Sequence, residues 1–214
     1  KPSELTPYTA YLFSKICIKA GVPPGVINIL HGYGDIIGDE IVQHKDVPVI
    51  SFTGGTETGR KINSICAKNF KKVSLEMGGK NPTIVFSDAN INSAVENSLR
   101  AAFLNQGQIC LCGSRIFIQN SIYPKFRKAF LSSVKKIVVG NPKNKNSFLG
   151  ALVSDPHMKK VLSYIDLAKK DGGKILFGGK RVLLKGNLKN GYYISPTVIE
   201  GLDHQSVINQ EEIF

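Results

Sequence analysis

Short apolar runs alternate with longer stretches of helical period through the first 77 residues, and Gly or Pro stands at most of the changes. This alternation restricts the fold more than any other feature of the chain. Parallel strands cannot be joined by a tight turn; they need a crossover, usually a helix packed on the sheet. Thr6-Pro7 and the apolar pattern behind it predict a helix over residues 6–20, closed by Gly21. Val26-Ile27-Asn28-Ile29-Leu30 reads as a short buried strand, and His31-Gly32-Tyr33-Gly34-Asp35 as a turn into a helix near 35–44. Val47-Pro48-Val49-Ile50-Ser51-Phe52 is the next strand, Thr53-Gly54-Gly55-Thr56-Glu57 opens another helix, and Lys72-Val73-Ser74-Leu75-Glu76 is a third strand. The expected class is α/β, with a parallel, doubly wound sheet.

Gly78-Gly79 marks a junction, which divides the chain into residues 1–78 and 79–214. Beyond it a second β/α unit begins with strand Thr83-Ile84-Val85-Phe86. Ile91, Ala94, Val95, Leu99, Ala102 and Phe103 then follow helical spacing. Strand Arg115-Ile116-Phe117-Ile118 precedes a helix over about 121–136. Asp155 as N-cap with Pro156 behind it starts another helix, which ends near Gly172-Gly173. Residues 174–177 and 191–199 read as strands, and 141–146 as a polar turn.

The formal charge of +12 raises the question of a nucleic-acid partner. Only five of the 28 basic residues are Arg, the Lys residues are scattered, and no aromatic–basic interleaving appears. A solvated lysine surface is expected, which also favours the approach of an anionic cofactor. No apolar stretch reaches the ~18 residues of a membrane span. Lys1-Pro2-Ser3-Glu4-Leu5 has neither an initiating Met nor a signal pattern, so the start reads as the interior of a longer chain. The four cysteines lack the spacing of a disulfide framework. Cys17 and Cys66 fall in apolar helical stretches as core residues, in keeping with a cytosolic or otherwise reducing compartment.

Three places carry polar chemistry. Thr53-Gly54-Gly55-Thr56-Glu57-Thr58-Gly59 puts a glycine pair between a buried strand and a helix, where free N–H groups meet the positive end of the helix. Two readings fit it: a phosphate site and a purely structural turn. Gly32-x-Gly34 followed by Gly38 misses the G-x-G-x-x-G fingerprint by one residue. Lys1 and Glu4 are open to adenosine-ribose recognition or to plain solvation. Cys110 lies in Asn105-Gln106-Gly107-Gln108-Ile109-Cys110-Leu111-Cys112, a small polar segment at the end of an amphipathic helix. A buried inert thiol is one reading of it. Metal binding through Cys110-x-Cys112 lacks a second Cys pair, and His31, His44, His157 and His204 are scattered, so no metal is expected. A Cys–His protease lacks a His in a suitable context. Glu76 stands thirty-four residues before Cys110. A soft nucleophile and one distant base are what covalent oxidation of an aldehyde requires.

Taken together, Lys1-Pro2-Ser3-Glu4, Phe52-Thr53-Gly54-Gly55-Thr56-Glu57-Thr58-Gly59, Leu75-Glu76-Met77-Gly78-Gly79-Lys80, Asn105-Gln106-Gly107-Gln108-Ile109-Cys110 and Glu211-Glu212-Ile213-Phe214 resemble the aldehyde dehydrogenase superfamily in order and spacing. The resemblance covers essentially the whole chain and points within the family to the hydroxymuconic/aminomuconic semialdehyde dehydrogenase group. It implies parts of two doubly wound β/α domains: the C-terminal part of a Rossmann-like NAD-binding domain over 1–78 and the N-terminal part of the catalytic domain over 79–214. By the same resemblance Cys110 is the nucleophile, with its N–H on the oxyanion, and Glu76 activates the hydrolytic water. Gly54, Gly55, Thr56 and Gly59 lie along the cofactor pyrophosphate, and Gly34 lies near the adenine. Lys1 and Glu4 hold the adenosine ribose, with Glu4 favouring NAD over NADP by repelling a 2′-phosphate. Glu212 binds the nicotinamide ribose, and Phe214 packs near that ring. Gly55 departs from the Ser of many members, which removes one side-chain contact to phosphate. The implied partner is a small aldehyde, and the implied whole protein is a cytoplasmic homodimer or homotetramer. Two alternatives stand beside hydrolytic oxidation: acyl transfer to coenzyme A, which would not need Glu76, and a catalytically inactive fragment that lacks the family's flanking segments.

Overall fold

In the computed structural model, which describes residues 1–214, the chain forms two compact units, Lys1–Met77 and Gly78–Phe214. In the first, α1 (Tyr8–Lys19) follows Pro7 directly, where a missing N–H costs nothing, and stops before Gly21, whose φ of +75° suits the left-handed exit. A single π-type turn at Gly34–Gly38 feeds α2 (Asp39–Gln43). Strand β1 (Val49–Gly54), helix α3 (Thr56–Lys68) and strand β2 (Lys72–Met77) make one parallel crossover, in register from Val49 opposite Lys72 to Gly54 opposite Met77. Val42, Ile50, Ile62 and Cys66 are buried between helices and sheet, with Phe52, Val73 and Leu75 against them. Burying a side chain such as Ile62 stabilises the unit by roughly 1.5–3 kcal/mol. Lys71 is drawn into this core because its Nζ donates to the His44 carbonyl at 2.6 Å.

Residues 26–30 do not form the expected strand. β1 and β2 pair only with each other, and a β-type sequence without a neighbouring ladder has no partners for its backbone groups. Val26, Ile27 and Leu30 stay exposed.

The second unit opens with β3 (Pro82–Val85), α4 (Ile91–Phe103) and β4 (Arg115–Ile118); β3 and β4 are parallel. Asn90 caps α4 by accepting the Ser93 N–H at 3.1 Å. Helix α5 (Tyr123–Val134) packs against α4, and Val85, Val95, Phe126, Phe130 and Val134 form the core they share. Helix α6 (Asp155–Lys170) is capped by Ser154, which accepts the His157 N–H at 3.3 Å; Asp155 lies inside the helix and is not its cap. Strands β5 (Lys174–Phe177), β6 (Arg181–Val182), β7 (Tyr193–Ile194) and β8 (Val198–Glu200) then pair antiparallel, β5 with β8 and β6 with β7, before the short α7 (Val207–Gln210). The run 191–199 is therefore two strands. Pro196 has no N–H for a ladder and stands at the break. Arg127 forks onto both Glu200 carboxylate oxygens at 2.8 and 2.9 Å, and Tyr123 donates to the same carboxylate, which ties α5 to β8. These bonds hold the Glu200 carboxyl below its ordinary pKa. No helix is long and apolar enough to cross a membrane.

Candidate active site

In the first unit the glycine turn sits at the C-terminal edge of the parallel pair, where open α/β sheets bind their ligands. Gly54 ends β1. A Cβ there would lie 2.5 Å from the Phe52 ring, so the position has no room for one. Gly55 is extended (φ −70°, ψ 147°) and precedes Thr56, the first residue of α3, without any side-chain cap. No atom lies within 4 Å of where its Cβ would be. The first N–H groups of this 13-residue helix thus lack a side-chain cap, and the place of a Gly55 side chain beside them is open, a fit for phosphate oxygens. Gly59 is buried one turn on, where a Cβ would approach Met77 Sδ at 2.5 Å; its absence lets α3 lie close to β2. Glu76 projects from the penultimate position of β2, exposed and opposite Thr53. Lys1, Glu4 and Gly34 gather around the loop before α2. Lys1 Nζ donates to the Gly32 carbonyl at 2.7 Å and stands 3.6 Å from Glu4. The Glu4 carboxylate is exposed, and Gly34 has open space around it.

In the second unit Cys110 is an exposed free thiol on the turn between α4 and β4. The approach to it is left-handed for three residues: Asn105 (φ 51°), Gln106 (φ 61°) and Gly107 (φ 75°). For the two that carry a Cβ, that conformation costs roughly 1–2 kcal/mol each. Amide side chains offset the strain. Gln106 Oε1 accepts the Gly150 N–H at 2.9 Å, Gln108 Oε1 accepts the Val153 N–H at 3.2 Å, and Asn105 Nδ2 donates to the Gln108 carbonyl at 3.0 Å. The turn itself closes through Cys112 N–H to the Ile109 carbonyl at 2.9 Å. From the position just before β3, Asn81 Nδ2 donates to the Cys110 carbonyl at 2.7 Å and reaches the Cys112 carbonyl at 3.4 Å. The Cys110 N–H has no acceptor within the chain.

The two neighbouring thiols are differentiated. Cys112 is half-buried and donates from Sγ to the Ala102 carbonyl at 3.2 Å. Burial pushes its pKa above the ordinary thiol range, against the opposing charge of Lys80. Only Cys110 faces solvent. Behind the turn lies a cavity of about 530 Å³, lined in part by Lys80, Cys112, Arg115 and Glu212. Burial, with the like charge of Arg115 second, lowers the Lys80 pKa to about 8, while Cys112 and Glu212 pull it the other way.

Glu212 presses its carboxylate onto Gly78, leaving no room for a Cβ there. Gly78 and Glu212, more than 130 residues apart, thus meet within this unit. Phe214 packs edge-on to His157, whose Nε2 lies 2.8 Å from the Phe214 carbonyl. Burial lowers the His157 pKa, although that carbonyl opposes it. Cys110 and Glu212 belong to the second unit; Glu76 and the glycine turn belong to the first. Asn81, Gln106 and Gln108 carry no signal in the sequence beyond an unusual density of amides before Cys110.

The sequence model of the Aldehyde dehydrogenase family matches residues 1–214. The chain belongs to this family. It is 47% identical over 216 residues to 2-aminomuconic semialdehyde dehydrogenase of Mus musculus, covering 100% of this chain and 44% of that protein. It is 44% identical to 5-carboxymethyl-2-hydroxymuconate semialdehyde dehydrogenase of Escherichia coli, covering 46% of it. Both relatives fall in the group to which the motifs point. A crystal structure of betaine aldehyde dehydrogenase from Staphylococcus aureus in complex with NAD+ superimposes with a TM-score of 0.94 at 42% identity, over 99% of this chain and 42% of that one. This chain therefore has the aldehyde dehydrogenase fold over its length, and it spans less than half of these relatives.

Proposed function

We propose that the whole protein oxidises an aldehyde to a carboxylate with NAD, through a covalent intermediate on Cys110. The observation that carries this proposal is the pair of thiols: Cys110 exposed on a braced turn with its own N–H free, and Cys112 turned inward as a neutral donor. The Cys110 thiolate attacks the carbonyl carbon, and the developing oxyanion takes the Cys110 N–H. Bound NAD supplies the acceptor for the hydride that leaves the same carbon, and a thioester remains on Cys110. Glu76 takes a proton from water, the hydroxide oxygen adds to the thioester, and collapse releases the carboxylate and the thiolate.

The residues of the first unit fit the cofactor. Gly54, Gly55, Thr56 and Gly59 would line its pyrophosphate, with Gly34 beside the adenine. Lys1 and Glu4 would hold the adenosine ribose, and the exposed Glu4 carboxylate disfavours a 2′-phosphate, which supports NAD over NADP. Glu212 and Phe214 would attend the nicotinamide end. On this proposal residues 1–78 belong to the cofactor domain and 79–214 to the catalytic domain. Cysteines placed as core residues or as a reactive thiol support a reducing, cytoplasmic setting. The family resemblance supports a homodimer or homotetramer.

The test is product analysis with an aldehyde and NAD, with and without coenzyme A. Free carboxylate should form without coenzyme A, and Glu76→Gln should slow turnover by about 10²-fold or more. A requirement for coenzyme A together with an unaffected Glu76→Gln variant would replace hydrolysis with acyl transfer.

A further inference from the structure

We propose that Asn81 is a positioning residue that sets the direction of the Cys110 thiol. Two carbonyl oxygens of the cysteine turn converge on its single amide nitrogen, Cys110 at 2.7 Å and Cys112 at 3.4 Å. Asn81 is itself fixed, because its backbone carbonyl accepts the Arg115 N–H at 3.3 Å and the next residue begins β3, paired with β4. The amide therefore transmits the position of a two-stranded parallel sheet to a turn 29 residues further along the chain. Fixing the Cys110 carbonyl fixes the plane of the peptide that follows Cys110. That plane and the Ile109–Cys112 turn bond together fix the backbone from which the Cys110 side chain springs.

The other braces act differently. Gln106 and Gln108 hold the approach to the turn, whereas Asn81 touches the nucleophile's own peptide. Without the Nδ2 donor, the Cys110 carbonyl loses its one partner, whereas the Cys112 carbonyl still accepts the Ser114 N–H at 2.9 Å. Turning the Cys110 backbone about both of its dihedrals is the simplest relief, and it carries the thiol with it. Misplacing a reacting group by about 1 Å costs on the order of 10²-fold in rate. Asn81→Asp preserves the shape, removes the donor and sets a negative charge against both carbonyls.

The consequence for turnover rests on Cys110 being the nucleophile; the geometric claim does not. The experiment alkylates the whole protein with iodoacetamide and follows Cys110 and Cys112 separately by peptide mass. Melting temperature, kcat and KM are measured on the same preparations, and Cys110→Ser is run beside them. Asn81→Asp should lower the preference for Cys110 over Cys112 by about tenfold and kcat by roughly 10–100-fold, with KM for the aldehyde within about threefold. Asn81→Gln, which keeps a donor on a longer arm, should recover part of both. A merely structural Asn81 would lower the melting temperature and leave thiol preference and kcat of the folded protein unchanged, and that result overturns the proposal. Should Asn81→Asp fail to fold, Asn81→Ser, whose hydroxyl is too short to reach, must show the same loss of preference or the proposal fails. Full turnover by Cys110→Ser would refute the catalytic role of Cys110 while the alkylation ratios still decide the role of Asn81.

Discussion

The glycine turn at residues 53–59 and the cysteine turn at 105–112 both join regular elements in α/β units, yet they are built on opposite principles. The first is made by leaving atoms out: Gly54 and Gly59 would each put a Cβ 2.5 Å from a neighbour, and Gly55 faces open space. No side chain caps α3 there. The second is made by adding bonds. Its backbone enters a left-handed run at two non-glycine residues, and four amide side chains hold it there. A surface that must admit a phosphate is best built from absent side chains. A thiol that must point in one direction is best held by a network whose strain and bonds specify one conformation.

The sharpest break between the two turns is chemical. Cys110→Ala should reduce turnover by about 10³-fold or more with an unchanged melting temperature, whereas Cys112→Ala should retain most activity. Equal losses from both, measured in steady-state assays, would erase the distinction between the thiols.

Next come the stability effects. Gly54→Ala forces a Cβ into the Phe52 ring and should cost about 1–3 kcal/mol in denaturant unfolding. Gln106→Ala leaves the Gly150 N–H without its acceptor and should also cost about 1–3 kcal/mol. Gln106→Gly loses the same bond but relieves the left-handed strain, so it should be about 1 kcal/mol less damaging than Gln106→Ala. No such rescue by removal of atoms exists in the glycine turn.

A smaller effect comes from Lys80, beside the cysteine turn. Its folded pKa of about 8 lies below the ordinary 10.5 of the unfolded chain. Between those values the unfolded chain binds the extra proton, so raising the pH favours the folded state. The parent protein should melt below Lys80→Gln at pH 7 and regain about 2–4 °C on it by pH 10, the ammonium being only partly shielded from water. A gap that does not change with pH would mean that Lys80 is not desolvated. The smallest effect is expected at Gly55→Ser. With nothing within 4 Å, stability should move by no more than about 0.5 kcal/mol, and only the KM for NAD should respond.

The β1–α3–β2 crossover was legible because its apolar period and its glycines are local signals, each visible within about ten residues. Residues 26–30 carry the same β-type composition without forming a strand, since a strand also needs a partner edge and none pairs with them. Residues 191–199 failed at Pro196, where the ladder changes partner. Ser154 displaced Asp155 as the cap of α6 by a single position, a choice made by hydroxyl geometry. At the candidate site, Cys110 and Glu76 stood out because few residue types do their chemistry. Asn81, Gln106 and Gln108 did not. Amides are common, and their partners lie 29 to 45 residues away, so only the folded chain gives them meaning. The seat of Glu212 on Gly78 was hidden for the same reason.

On the proposed mechanism Cys110, and not Cys112, carries the acyl group that Glu76 helps to release. This assignment is tested most directly by acid-quenching the whole Glu76→Gln protein after mixing with an aldehyde and NAD, then locating the added mass by peptide analysis. The expected result is a thioester on the peptide through Cys110, close to one per active subunit, formed together with one equivalent of NADH. An adduct on Cys112, or full turnover with no adduct on either thiol, would contradict it.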